Sequence, residues 1–198
     1  GKINPSGKLA ETMPLKLSDN PSYLNFGGGE KVEYREGIFV GYRYYDTKEM
    51  DVAFPFGYGL SYTTFAYSNL KLSMENPTEK DTVMVSADVT NTGKSAGKEV
   101  VQLYIRDLTG SAIRPEKELK GFEKVFLEPG ETKTVTMELN KRSFAWYNTE
   151  LHDWFAASGD YEILVGASSR DIRLTETLHL NSSQRLPMHV HMNTTLGE

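Results

Sequence analysis

The chain has 198 residues, of which 38% are hydrophobic and 25% charged, and its 22 Lys plus Arg against 27 Asp plus Glu leave a net charge of −5 at pH 7. No apolar run approaches the ~20 residues of a membrane-spanning helix, and an acidic chain without a Lys/Arg cluster lacks the footprint that phosphate-backbone binding requires, so membrane and nucleic acid are not expected partners. The absence of Cys removes disulfides, thiolate catalysis and cysteine zinc sites, and favours a cytoplasmic setting.

The first ten residues, GKINPSGKLA, have neither the charged nor the apolar part of a signal peptide and no initiator Met, so the chain reads as a fragment. Residues 1–64 are crowded with Pro, Gly and aromatics, from Pro5, Pro14 and Pro21 through Gly27-Gly28-Gly29 to Tyr42, Tyr44, Tyr45, Phe54, Phe56, Tyr58 and Tyr62. No window shows the i, i+3, i+4, i+7 pattern of an amphipathic helix, and the strand-like runs, Val32 to Tyr34 and Ile38 to Tyr45, are short. Such a stretch cannot build its own core. Its aromatics need another surface to pack on.

From Phe65 the pattern changes to period two. Val83, Val85, Ala87 and Val89 alternate with polar neighbours up to Asn91-Thr92-Gly93, where Gly93 is available for a positive φ. Val101, Leu103 and Ile105 follow, then Leu119 to Leu127, a Pro129-Gly130 turn, and Val135, Met137 and Leu139. Phe144 to Tyr147, Tyr161 to Val165 and Ile172 to Leu180 complete the series, with a first strand at Tyr67 to Met74. Seven or eight short strands with turn signals between them describe an all-β immunoglobulin-like or fibronectin type III-like sandwich, and without a Cys pair it is not the antibody subtype. Its expected core is Val83, Val85, Val89, Val101, Leu103, Ile105, Val135, Leu139, Ile163 and Val165. Residues 183–198 are polar and aperiodic and read as a tail.

Several residues could carry chemistry. Glycoside hydrolysis needs two carboxyl groups flanking a scissile bond, yet the acids of the sandwich, such as Asp88, Glu128 and Glu131, sit at outward or turn positions, as solvated groups do. The densest charged and aromatic cluster contains Arg35, Glu36, Tyr44 and Tyr45, candidates for the rim of a sugar site, although aromatics packed at a domain seam explain it more simply. Trp146 and Trp154, with Tyr147 and Phe155 beside them, are candidates for a sugar-stacking platform and are expected to be at least partly buried. His189 and His191 would point the same way on a strand but lack a third ligand, so no metal site is expected. The triple glycine has no following Gly-Lys-Ser/Thr and is a turn, not a phosphate loop. No cofactor is expected.

The string FPFGYGLSYTTF, Phe54 to Phe65, resembles a signature near the C-terminus of glycoside hydrolase family 3, the family of many β-glucosidases. The flanks agree: NPSGKLAETMP from Asn4, REGIFVGYRYYD from Arg35, LKGFEKVFLEPGE from Leu119 and GDYEILVGASSRDIRL from Gly159. The resemblance covers residues 1 to about 180. It implies that residues 1–64 are the irregular, extended end of an α/β sandwich domain with its exit connection, and that residues 65–182 are a fibronectin type III-like domain supporting the catalytic domains of a β-glucosidase. Nothing here corresponds to the family's barrel or to its two catalytic carboxylates, so no catalytic residue carries over. The implied partners are the remaining domains of the parent enzyme, with β-glucosides as its substrates. Phe54, Pro55, Phe56, Gly57, Tyr58, Gly59, Leu60 and Tyr62 are expected at the domain interface, docked on the sandwich. Residues 1–30 are expected to make few contacts with the sandwich and to rely on a neighbour, a homodimer partner being one candidate. The rival reading is a carbohydrate-binding module built on Trp146 and Trp154.

Overall fold

The computed structural model describes residues 2–27 and 30–186. In chain order, β1 (Met13–Pro14), α1 (Tyr42–Thr47) and β2 (Val52–Phe54) come first, followed by β3 (Phe65–Leu72), β4 (Val83–Asn91), β5 (Gly97–Asp107), β6 (Glu118–Leu127) and β7 (Thr132–Leu139). Then come α2 (Lys141–Phe144), β8 (Trp146–Asn148), β9 (Asp153–Phe155), β10 (Gly159–Ser168) and β11 (Asp171–Leu180). One antiparallel sheet has the order β3-β4-β7 and the other β11-β10-β5-β6, while β1 pairs with β2 and β8 with β9. The two larger sheets make a seven-stranded sandwich.

The alternation in β4 explains the packing. Val83, Val85, Ala87 and Val89 face inward, and their polar neighbours face the solvent side of the sheet. All ten residues expected in the core lie in one cluster, each at most 4% exposed. Asn91 closes the β4 end: its amide donates to the carbonyls of Ser95 (2.9 Å) and Leu127 (3.1 Å), and its Oδ1 accepts from Thr63 Oγ1 at 2.6 Å. Gly93 serves this turn through its size and not through a positive φ, because a Cβ there would lie 2.1 Å from Thr63 Oγ1.

Two expected strands are helical at least in part. Ile38 to Tyr45 turns at Gly41, whose φ is +57°, and enters α1, which buries Tyr42, Tyr45 and Asp46. Those positions are i, i+3 and i+4, a helical face too short to register in a long window. The stretch 32–34 forms no strand. Phe144 is the last residue of α2, and only Trp146 begins a strand. The Asn140 side chain accepts from the Arg142 amide at 3.0 Å, and Ser143 Oγ accepts from the Asn140 amide at 3.2 Å, so a capping box starts a helix there.

The chain stays on the sandwich after β11. Buried Glu79 accepts from the Ser183 amide at 3.0 Å and from its hydroxyl, which together hold the carboxyl below its usual range. Gln184 bridges the Trp154 carbonyl and the Ala156 amide. His189 and His191 lie outside the described residues. Among the described residues no helix is long and apolar enough to cross a membrane.

Candidate functional site

The outer face of the four-stranded sheet is where the first part of the chain meets the sandwich. On β5, Leu103 and Ile105 face the core, whereas Tyr104 faces out and is equally buried. Leu164 does the same on β10. Both are covered by Tyr42 and Phe56, whose ring centroids lie 4.7 Å apart, and Tyr42 meets Tyr104 edge-on at 6.0 Å. The Tyr42 hydroxyl accepts from the Leu119 amide at 2.7 Å, tying α1 to β6.

Gln102 is the polar centre of this contact. It is buried, and its Nε2 donates to the carbonyls of Ala167 (2.8 Å) and Gly57 (3.1 Å), while its Oε1 accepts from the Tyr104 hydroxyl at 2.6 Å. Every polar atom of the amide is thus engaged, as a buried group requires. Burial, with the nearby Tyr42 and Asp46, raises the Tyr104 pKa, so the hydroxyl stays a donor. Gly57 has φ +78°, and a Cβ there would lie 2.0 Å from Gln102 Oε1. Both conditions call for glycine.

The other interface candidates follow the same path. The Phe56 carbonyl accepts from the Ser169 amide at 2.9 Å, and the Phe56 amide donates to Thr12 Oγ1 at 3.2 Å. The Gly57 amide reaches the Leu9 carbonyl and the Leu9 amide reaches the Tyr58 carbonyl, both at 2.8 Å. Gly59 passes so close to Gly7 that a Cβ would sit 2.4 Å from the Gly7 carbonyl oxygen. Pro55 is half-buried, Phe54 packs against Tyr58 with the ring centroids 5.2 Å apart and the rings tilted, and Leu60 and Tyr62 are exposed.

The expectation of few contacts for residues 1–30 fails at its start. Asn4 Nδ2 donates to the Ala96 carbonyl at 2.9 Å and its Oδ1 accepts from the Tyr62 amide. Lys8 Nζ lies 2.8 Å from Glu99 and 3.1 Å from the Ala167 carbonyl. Polar side chains tether this segment where apolar burial does not, a signal that hydrophobic periodicity misses. Residues 15–26 are different: Leu15, Leu17, Tyr23, Leu24 and Phe26 are all exposed.

A second junction was also hidden in the sequence. Asp46 of α1 is 8% exposed, and its Oδ1 accepts from Arg170 Nε at 2.7 Å while its Oδ2 lies 3.3 Å from Lys117 Nζ. Arg170 also donates to the Met50 carbonyl. A buried carboxylate needs such partners, and loss of one typically costs ~3–5 kcal/mol.

Of the sugar-rim candidates, Arg35, Glu36 and Tyr44 line one cavity of about 420 Å³ with Phe39 and Lys48. Tyr45 does not join them; it is 3% exposed and packs edge-on to Tyr44 at 5.4 Å. Among the described residues Glu36 Oε2 is buried without a hydrogen-bond partner, and Arg35 pairs with Glu33. Trp146 and Trp154 are both half-buried on the β8–β9 hairpin. The Arg142 guanidinium lies 3.4 Å from the centroid of the Trp154 ring, and Trp146 meets Phe155 edge-on at 4.9 Å. Among the described residues no group of three or more His, Asp or Glu is placed to hold a metal. The arrangement is one of mechanical fixation: buried amides, ion pairs and aromatic contacts hold the entering chain in one orientation against the sheet.

Residues 99–169 match the fibronectin type III-like domain family. Thermostable beta-glucosidase B of Acetivibrio thermocellus is 56% identical over 199 residues, covering 100% of this chain but 26% of that protein. The exo-alpha-(1->6)-L-arabinopyranosidase of Bifidobacterium breve is 49% identical over 181 residues, 91% of this chain and 24% of its own length. Among solved structures, the GH3 beta-glucosidase of Bifidobacterium adolescentis superposes with a TM-score of 0.88 at 43% identity, over 96% of this chain and 28% of the other. The chain therefore spans about a quarter of the length of these relatives. With the sandwich, the covered sheet face and these likenesses together, the chain belongs to glycoside hydrolase family 3, as its C-terminal portion with the fibronectin type III-like domain.

Proposed function

We propose that the chain is the supporting C-terminal part of a larger β-glucoside-hydrolysing enzyme, inactive alone, whose sandwich fixes the orientation of domains that carry the chemistry. The observation that carries this reading is the contrast between a closed sandwich and a run of unburied apolar side chains, Leu15, Leu17, Leu24, Phe26 and Tyr34, on the segment docked to it. Exposed apolar groups clustered in sequence mark a surface that another body covers. Residues 1–64 are then the end of the α/β sandwich domain, and residues 54–62 are the seam through which that domain rests on the sandwich. Residues 183–198 form the tail.

A similar portion occurs in relatives named for β-glucoside and for α-L-arabinopyranoside hydrolysis. A role common to both is support, not the choice of sugar. The test is hydrolysis of nitrophenyl β-glucoside by the purified chain, by the remaining domains of the enzyme, and by the two mixed. Release of nitrophenol only with both present supports the proposal; release by the chain alone overturns it. Sedimentation of the chain is expected to give a monomer at micromolar concentration. A dimer would assign the surface of residues 1–30 to a second copy.

A further inference from the structure

Where α1, the β5–β6 connection, α2 and the β8–β9 hairpin meet, they enclose a cavity of about 520 Å³ lined by Arg43, Arg114, Lys120 and Arg142. Glu118 is the one acid among its described lining residues. That single carboxylate is shared: Oε1 lies 3.4 Å from Arg43 Nη2, and Oε2 bonds to Arg114 and lies 3.6 Å from Lys120 Nζ. Arg114 has a second carboxylate, Asp107, at 3.1 Å, and donates to the Phe144 carbonyl at 2.6 Å. Four cations therefore face two carboxylates. Among the described residues no carboxylate lies within ion-pair distance of Arg142, whose guanidinium lies over the Trp154 ring.

The excess charge sits in a partly dry place. The side chains of Arg114, Lys120 and Glu118 are 6%, 13% and 13% exposed. Burial pushes the Lys120 ammonium down to about 8, and Arg114 and Arg43 add to the depression against the pull of Glu118. For Glu118, burial works in the opposite direction, but Lys120, Arg114 and Arg43 outweigh it and hold the carboxyl below its usual range. An ammonium has three donors, and Glu118 at 3.6 Å occupies none of them at hydrogen-bond distance. A buried ammonium that shares its one carboxylate with two guanidiniums, beside an exposed guanidinium with no carboxylate partner among the described residues, favours an incoming anion that supplies both charge and acceptors.

We propose that this cavity binds a small oxyanion, a carboxylate or phosphate group, with Lys120 and Arg142 as its charge partners. Arg43 and Arg114 remain committed to Glu118 and shape the positive wall behind the ligand. The site differs from a neutral sugar platform because charge, not an open indole face, makes the contact.

Trp146 and Trp154 both line the cavity and are the only 2 tryptophans of the chain, so intrinsic emission reports on this site directly. The 198-residue chain is titrated at constant ionic strength with inorganic phosphate, with glucuronate and with glucose. A saturable emission change with phosphate or glucuronate at millimolar concentration or below is expected, with binding of glucose at least tenfold weaker. Phosphate binding as tight as glucuronate identifies a plain oxyanion site, whereas tighter glucuronate identifies a sugar-borne carboxylate. Lys120→Met and Arg142→Gln should each weaken binding at least tenfold, and Lys98→Met, exposed near the far end of β5, should leave it unchanged. Near-ultraviolet circular dichroism checks that the variants are folded; should Lys120→Met not fold, the exposed Arg142→Gln decides. No saturable change with either anion, undiminished binding in the folded variants, or glucose binding as tightly as glucuronate overturns the proposal.

Discussion

Residues 65–180 and residues 2–64 satisfy their apolar groups in opposite ways. In the sandwich, inward side chains such as Val85 and Leu103 are wholly buried by partners from the two sheets of the same unit. In the preceding region, Tyr42 and Phe56 find cover only by lying on the outer face of β5 and β10, and Leu24 and Phe26 find none within the described residues. Period-two alternation closes a core upon itself. An aromatic-rich irregular segment borrows one. The sheet face that lends it is polar at its centre, so Gln102 and the Asp46 ion pairs set orientation while the aromatics contribute the burial.

The strongest way to break the contrast is inside the sandwich. Val85→Asp puts an unpaired carboxylate into the core, at a cost of about 4 kcal/mol or more against a total stability of ~5–15 kcal/mol. Loss of the cooperative unfolding transition in urea, followed by circular dichroism, is the expected outcome. A folded variant with an unchanged midpoint would mean that Val85 faces solvent.

A smaller effect, confined to the borrowed contact, is expected for Gly57→Ala. The new Cβ meets Gln102 Oε1, and the residue keeps a positive φ, so the strap that residues 54–62 lay across the sheet should lose about 2–3 kcal/mol. Hydrogen exchange reads this locally. The amides of Leu9, Gly57 and Ser169, which bond along the strap, should exchange faster, while amides of β4 remain protected. Equal acceleration in β4 would show that the two regions unfold as one unit.

Lys120 sharpens the comparison from the electrostatic side, because Arg43 of the first region and Arg114 of the second both act on it. Its folded pKa, about 8, lies below the ordinary lysine value of 10.5. The folded state therefore binds fewer protons than the unfolded state between those values, and this group's contribution to stability rises with pH across that window. Below pH 8 the charged ammonium is a net cost. Lys120→Met should raise stability at pH 7 by about 1–3 kcal/mol, and the gain should shrink as pH climbs toward 10.5. Urea midpoints at pH 7 and pH 10 measure it; a gain that grows with pH would reverse the sign of the argument.

The sandwich was legible because its signal is local and repeated. Ten alternating positions named its core, and Asn91, Gly93 and Pro129-Gly130 mark its turns. The lent face was less so, although Val100 to Ile105 and Ile163 to Ala167 are nearly continuous apolar runs, the pattern of strands buried on both sides. Gln102 interrupts the first of these and is the centre of the contact. Asp46, Lys117 and Arg170 were out of reach, since 124 residues separate the ends of that ion-pair network and no local pattern joins them. The cation-lined cavity was equally hidden, being assembled from four separate stretches of chain.

The smallest expected effect tests what remains uncovered. Leu24 and Phe26 are 90% and 78% exposed, so Leu24→Ser or Phe26→Ser removes almost no burial from this chain. Surface changes of this kind usually stay within about ±0.5 kcal/mol, and the urea midpoint of either variant should match that of the parent chain. The same substitution has a different expected consequence once the remaining domains of the enzyme are present. If they cover this surface, each lost side chain forfeits its transfer free energy, about 1.5–3 kcal/mol for a fully buried Leu or Phe, and co-purification of the two parts should fall by roughly tenfold or more. A variant that destabilises the chain alone by more than 1 kcal/mol would place Leu24 and Phe26 in a contact within the chain. A variant silent in both settings would leave residues 15–26 as plain solvent-facing loop, and the seam would then be confined to the strap that Gln102 holds.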